Sequence, residues 1–403
     1  MLRFLTAGES HGQALVVTLD GVPSGLTFDI AAINAQLKRR QGGYGRGRRM
    51  QIESDQIEVL AGVRRGRTTG APIAMLIRNR DWVNWQQTMH VEPAMPEGAT
   101  GANRAPVTRP RPGHADLAGA VKYDLDDIRD VLERASARET AARVAAGSVA
   151  RQLLASFGIR VASHVSAIGD VTLAPQRLVS FAEADALAID DPVRCVDPTL
   201  RDRMTAAIDA AKDAGDTLGG AFEVIATGVP PGLGSHVQWD RKLDGRLGQA
   251  ILCIHAIKAV GIGIGPEVAV RPGSRVHDEI LPPASPQNLP VRPSNNAGGL
   301  EGGVTNGQDV RVTGFMKPIA TLMNPLRSVD MTTMENAPAA IERSDVCAVP
   351  AAAVVGEAMV SLVLADALLE KFGGDSIGEI ARHVAATAAQ VAARLSGTHP
   401  VER

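Results

Sequence analysis

Residues 38–49 read Lys-Arg-Arg-Gln-Gly-Gly-Tyr-Gly-Arg-Gly-Arg-Arg, six cations interleaved with four glycines directly after a stretch of helical periodicity. Glycine lets a backbone approach an anion closely, and guanidinium groups hold phosphate or carboxylate through paired hydrogen bonds. Arg40, Arg46 and Arg49 are therefore candidates for a small-anion site; an arginine-glycine segment for RNA and a plain solvated loop are the competing readings. A second candidate is Arg134-Ala135-Ser136-Ala137-Arg138-Glu139, where Ser136 and Glu139 have capping-box spacing. The free N–H groups of such a helix start could seat a phosphate beside Arg134, although a cap alone explains the same residues.

Acid-base chemistry points to His11, in Gly8-Glu9-Ser10-His11-Gly12, and His114, in Arg111-Pro112-Gly113-His114-Ala115-Asp116. Imidazole titrates near neutral pH, and both histidines sit among small residues that leave a ring accessible. A solvated loop histidine is the simpler alternative for each. The remaining histidines show no HxxxH spacing, so no metal is expected. A third group gathers Asn295 to Gly303, Lys317-Pro318-Ile319-Ala320-Thr321 and Glu342-Arg343-Ser344-Asp345, a glycine-rich backbone with cations and a carboxylate. It could cradle a second phosphate and place a base. Neither GxxxxGK[ST] nor a strand-GxGxxG-helix pattern occurs.

The bulk composition limits what these residues serve. Charged residues make up 21% and apolar ones 45% of 403, as in ordinary globular proteins. A net charge of -2 and 3% aromatics argue against a nucleic-acid surface, so any cationic site is local. Cys195, Cys253 and Cys347 form no CxxC pair and suit reduced thiols in a cytoplasmic protein. The N-terminus reaches charge before a signal-peptide core can develop. Glu357, Ser361 and Asp366 interrupt the apolar run from Ala348 to Leu369, which reads as a buried helix rather than a membrane span.

Ala14 to Leu26 and Ala221 to Leu233 both read as a strand closed by GVPxGL, 207 residues apart at Gly21 and Gly228. Each precedes a helical pattern, Ile30 to Arg40 and Lys242 to Val260. A duplicated β-α unit is the expectation, with chance resemblance of two Gly-Pro turns as the alternative. Further strands are expected at Leu2 to Ala7, Ile57 to Gly62, Pro72 to Arg78, Val161 to Gly169 and Val310 to Met316. Helices are expected at Ala137 to Phe157, Met204 to Ala214, Val349 to Phe372 and Ser376 to Leu395. Asn79 to Gly113, Arg271 to Gly303 and Lys317 to Arg343 resist assignment; loops this long carry function when ordered.

Taken together, GESHG, RRQGGYGRGRRM, RPGHAD, RASARETAARVAAG, NNAGGLEGG, MKPIATL, PLRSVD and ERSDVCAVPAA make the chain resemble the chorismate synthase family over roughly Met1 to Asp375. Val260 to Val268 departs from the family, which more often has an acidic and an aromatic residue there; the tail beyond Asp375 carries no family word. The resemblance implies a single α+β domain over residues 1–403, with a pseudo-repeat of about 1–200 and 201–403. Its layers would be helices between two antiparallel sheets, and its assembly a homotetramer. It implies 5-enolpyruvylshikimate 3-phosphate as substrate and an anti 1,4-elimination giving chorismate and phosphate. It also implies reduced FMN with no net redox change, lending an electron that weakens the carbon–oxygen bond, and NADPH as a candidate reductant. By the same resemblance His11, His114 and Asp345 are catalytic, and Arg40, Arg46, Arg49, Arg134 and Arg343 face the substrate. Arg134, Ala135, Ser136, His255, Ala256, Gly302, Lys317, Pro318, Ile319, Ala320, Thr321 and Arg343 face FMN; Arg40 and Arg46 also match NADP positions. The rivals are an RNA-binding module and a flavin-independent phosphohydrolase built on His11, His114 and Asp345.

Overall fold

The computed structural model describes residues 1–47, 54–174, 177–283, 290–342 and 345–395. Its first strands are Arg3–Ala7 (β1), Ala14–Asp20 (β2), Glu58–Ala61 (β3), the short pair Val63–Arg64 (β4) and Arg67–Thr68 (β5), and Ile73–Arg78 (β6). Leu15, Val17 and Leu19 of β2 alternate with less buried neighbours and face Ile73, Met75 and Ile77 of β6, which gives the sheet one core face. The second set is Arg160–Ile168 (β7), Val171–Thr172 (β8), Gly220–Thr227 (β9), Ile257–Ile262 (β10), Leu300–Glu301 (β11), Val304–Thr305 (β12) and Val310–Met316 (β13). The two main antiparallel sheets run β1-β2-β6-β3 and β8-β7-β9-β13-β10. Strands β7, β9, β13 and β10 thus stand in the order of β1, β2, β6 and β3.

The GVPxGL turns also match. Thr68 Oγ1 donates to Pro23 O at 2.6 Å and accepts from Leu26 N at 3.0 Å. Thr305 Oγ1 donates to Pro230 O at 2.7 Å and accepts from Leu233 N at 2.8 Å. Each threonine closes a hairpin, β4–β5 and β11–β12, whose turn needs two residues at positive φ: Arg65 and Gly66 in one, Gly302 and Gly303 in the other.

The longer helices are Ile30–Gln41 (α1), Asp116–Tyr123 (α2), Arg129–Arg134 (α3), Thr140–Ala155 (α4), Pro198–Asp213 (α5), Leu243–Leu252 (α6), Val349–Phe372 (α7) and Ile377–Leu395 (α8). Asp29 caps α1 by accepting from Ala32 N at 3.0 Å, and Lys38, Arg39 and Arg40 oppose the dipole at its C-terminal end. Helix α7 is long and apolar enough to span a membrane, yet 89% of its most apolar window is buried, against α4, β7 and β9. Helix α4 in turn packs on β2 and β6. The two helices approach so closely that a Cβ on Gly147 would lie 2.4 Å from Ala358 Cβ. One apolar cluster runs through both sheets and these helices, from Leu15 to Ile380.

Two local expectations fail. The helical pattern from Lys242 ends at Leu252, because Ala256 takes a left-handed φ of 65° and Ile257–Ile262 pairs with β13. The Ser136–Glu139 capping box does not form: the chain there turns as a 3-10 segment, so Ser136 Oγ accepts from Arg138 N. Glu139 instead accepts from Thr6 and Arg143. Within the unassigned stretches, Arg327–Val329 (β14) pairs with Asn336–Pro338 (β15).

Candidate active site

The end of α1 delivers two arginines to opposite sides. Arg39 forms a two-toothed ion pair with buried Glu357 of α7, at 2.7 and 2.8 Å. Arg40, 2% exposed, points the other way, with Nη2 2.8 Å from Asp55 and Nη1 3.3 Å from Thr140 Oγ1. Arg138 donates to the other oxygen of Asp55 at 2.6 Å. Burial pushes the Asp55 carboxyl up, but Arg40 and Arg138 outweigh it and hold it below the usual carboxylate range. Burial lowers Arg40 to about 10 despite Asp55, with Arg138 and Arg46 pressing in the same direction. Two buried guanidiniums therefore share one carboxylate, and Arg40 Nε has no hydrogen-bond partner. Beyond the left-handed glycines Gly43 and Gly45, Arg46 Nη1 meets Asp345 Oδ2 at 2.7 Å, and Gly47 N donates to Asp345 Oδ1 at 2.6 Å. Arg39, Arg40 and Arg46 thus turn inward onto carboxylates rather than outward.

The turn between β1 and β2 is anchored to this cluster through Asn79. Its Oδ1 accepts from Arg138, while Nδ2 donates to Glu9 O and Gly12 O. Within that turn His11 Nδ1 lies 2.8 and 3.0 Å from the two Glu133 oxygens, and the His11 amide donates to Glu133 Oε2 at 2.7 Å. The ring stacks on Trp85 with centroids 3.8 Å apart. Arg134, the next residue of α3, donates to Gly8 O and to Thr6 O and Oγ1. Ala135 closes α3, and Ser136 Oγ meets Ser10 Oγ at 3.2 Å.

His114 stands on the other loop. Its Nδ1 is 2.5 Å from Asp116 Oδ1, and Arg111 grips the same carboxylate through Nε at 2.8 Å and Nη2 at 3.1 Å. Burial raises Asp116, but His114 and Arg111 hold it far below the usual carboxylate range. Arg111 Nη1 also donates to Thr321 Oγ1, and Lys317 Nζ to Gly113 O at 2.8 Å, which docks the segment Lys317, Pro318, Ile319, Ala320 and Thr321 onto this loop. Ile319 O accepts from Thr217, and Ala256 O from Lys317 N. His255 is pressed down to about 4, first by burial and then by Arg143, with His114 and Arg134 adding to it and Glu139 opposing. Its Nδ1 is buried without a partner. His114 and Arg134 thus both act on the charge of His255, Arg46 meets Asp345, and Asn79 ties the Arg40–Arg138 cluster to the His11 turn.

Gly302 stands on a different hairpin from these residues. It lies in the β11–β12 hairpin, where Gly303 O accepts from Leu243 N at the start of α6, whereas His255 follows the end of that helix, about 15 Å away along ten residues. Arg49 and Arg343 fall outside the described residues. The sequence reading missed Asp55, Arg138, Trp85, Glu133, Asp116 and Arg111 as site residues. Asp116 and Arg111 lay inside the RPGHAD word and Glu133 directly before Arg134; Asp55 carried no local signal.

A profile of the family described as Chorismate synthase matches residues 2–369. The chain is similar to the chorismate synthase of Solibacter usitatus, 56% identical over 385 residues, which cover 95% of this chain and 97% of that protein. It is likewise similar to that of Moorella thermoacetica, 57% identical over 386 residues, covering 96% and 98%. A solved structure titled "Crystal Structure of Chorismate Synthase" superposes with a TM-score of 0.77 at 42% identity, covering 97% of this chain and 98% of the other. With its arginine clusters, paired histidines and mixed helix-and-sheet fold accounted for, the chain belongs to the chorismate synthase family.

Proposed function

We propose that the arginine-lined site seats 5-enolpyruvylshikimate 3-phosphate against reduced FMN and removes phosphate by anti 1,4-elimination, giving chorismate. The activity is that of a lyase on the shikimate route to aromatic amino acids. The observation that carries the substrate assignment is the gathering of buried guanidiniums: Arg40 and Arg138 both meet Asp55, and Arg40 Nε has no hydrogen-bond partner among the described residues, an open buried donor that suits an anion. Arg40, Arg46 and Arg134, joined by Arg49 and Arg343, would balance the substrate's phosphate and carboxylates. His11 and His114 would move protons, and Asp345 would assist removal of the ring hydrogen.

The residues fit a flavin phosphate and ring: His255 offers an orphaned buried nitrogen, and Lys317 a half-buried ammonium lowered by burial and by Lys258. Bound there, reduced FMN supplies the transient electron density that the elimination needs. Arg134, Ala135, Ser136, Ala256 and Lys317 to Thr321 would hold it, with Gly302 and Arg343. Because Arg40 is buried onto Asp55, it suits a compact substrate anion better than NADP. An anaerobic assay tests the reading: phosphate release should require reduced FMN and be absent without it. Release without any reductant would instead mark a phosphohydrolase, and NADPH consumption in the same assay would report self-reduction.

The matched strand orders and the twin threonine clasps support one domain over residues 1–403, built by duplication as helices layered between two sheets. The outward face of β1 leaves Leu5 79% exposed, and β3 leaves Leu60 61% exposed, which supports burial of this face in a homotetramer. Free cysteines at 195, 253 and 347 support a cytoplasmic location.

A further inference from the structure

We propose that Glu133 and Asp116 are positioning residues: each accepts the Nδ1 proton of one histidine, His11 or His114, and so leaves Nε2 of that ring available for proton transfer. This rests on the site reading above, for which His11 and His114 move protons. Glu133 is 1% exposed and Asp116 fully buried, while the two imidazoles are 16% and 21% exposed, so each carboxylate lies behind its ring, away from solvent.

The hydrogen-bond chemistry fixes the tautomer. An ionised carboxylate only accepts, so a nitrogen 2.5 to 3.0 Å from one must carry the proton. Glu133 Oε2 also accepts the His11 amide, which holds the carboxylate against the ring as an acceptor. For His114 the same atom also lies 3.0 Å from Arg111 Nη2. If Nδ1 were a lone pair receiving that guanidinium, two lone pairs would face each other across 2.5 Å at Asp116 Oδ1. With the proton on Nδ1, both donors point at the carboxylate between them. Among the described residues, neither ring makes a hydrogen bond through Nε2.

The two arrangements share a plan: an arginine backs each carboxylate. Arg111 grips Asp116 through two bonds, and Arg129 stands 3.8 Å from Glu133. They differ in how the ring plane is held. His11 is clamped against Trp85, whose Nε1 donates to Asp81 at 3.1 Å and whose face carries the Arg104 guanidinium at 4.1 Å. His114 is oriented by its carboxylate and its short loop. Loss of the carboxylate therefore frees the tautomer of either ring, and for His114 frees its plane as well.

Neutron diffraction from deuterated crystals of the unmodified protein at neutral pH reads the tautomer directly. Deuterium on Nδ1 of His11 and His114 is the expected result; a neutral ring with deuterium on Nε2 alone overturns the proposal, whatever the enzyme's activity proves to be. Kinetics form the second arm. Glu133→Gln and Asp116→Asn should lower kcat by roughly 10- to 100-fold, as outer-sphere partners of working histidines do, with KM changed less than about threefold. An unchanged kcat, or a loss confined to KM, counts against a positioning role. If instead the unmodified enzyme releases no phosphate with reduced FMN, the function reading fails while the tautomer result stands by itself.

Discussion

Arg46 and Asp345, nearly three hundred positions apart, meet at 2.7 Å, and this ion pair joins the glycine-rich loop after α1 to the segment that opens α7. The Asp345 carboxylate is 21% exposed and also accepts from Gly47 N. Replacing it by Asn keeps the shape and removes the charge that Arg46 faces. Asp345→Asn and His11→Ala should each lower turnover by at least about 100-fold, while FMN still binds. Anaerobic turnover beside equilibrium dialysis of FMN checks both halves; full turnover in either variant removes that residue from the chemistry.

The shared carboxylate of Asp55 predicts an unusual response to anions. Asp55→Asn takes from buried Arg40 and Arg138 the carboxylate they share, at a cost of about 3–5 kcal/mol in the unliganded protein. Inorganic phosphate should then raise Tm more in the variant than in the parent, because it supplies the missing charge. Equal shifts would place the anion elsewhere.

Glu357 sits 2% exposed in α7 under Arg39, Arg151 and Arg194, with Ser163 donating at 2.6 Å. Burial pushes its carboxyl up, and Arg39 and Arg151 pull it far below the usual range. Its folded value thus lies under its unfolded one, so its contribution is complete above the unfolded value of about 4.3 and fades as pH falls through the folded value. Glu357→Gln should cost about 3–5 kcal/mol at pH 7, read by urea unfolding, with the gap between parent and variant narrowing in acid.

His255 titrates in the opposite sense from a histidine that gains a partner. Its folded pKa of about 4 lies below the unfolded value of about 6.5, so the unfolded chain binds the extra proton between them. Stability should be complete above pH 6.5 and fall by about 1–2 kcal/mol on the way to pH 5, allowing for the ring's partial exposure. Urea unfolding at pH 7 and pH 5 should show that loss in the parent and less of it in His255→Gln.

What could be read in advance follows the range of the forces involved. Helix α7 spans Val349–Phe372 as its apolar run indicates, and β13 spans Val310–Met316, because burial pattern and β-branching act locally. The helix expected through Val260 stopped at Leu252, since pairing of Ile257–Ile262 with β13 is a contact across sequence that periodicity does not encode. The cap at Ser136 lost Glu139 to Thr6, 133 positions away. In the site, Arg40, Arg46, His11 and His114 were legible from their words, although Arg111, Asp116 and Arg138, inside such words too, were not singled out. Glu133 and Asp55 were not, because each acquires its role only from a partner that folding brings beside it.

If one cationic site seats substrate and FMN face to face, their binding is mutually dependent. Substrate should then shift both the absorbance of bound flavin and its Kd, and FMN should shift the Kd of substrate by the same factor. Independent affinities with an unperturbed flavin spectrum would contradict it.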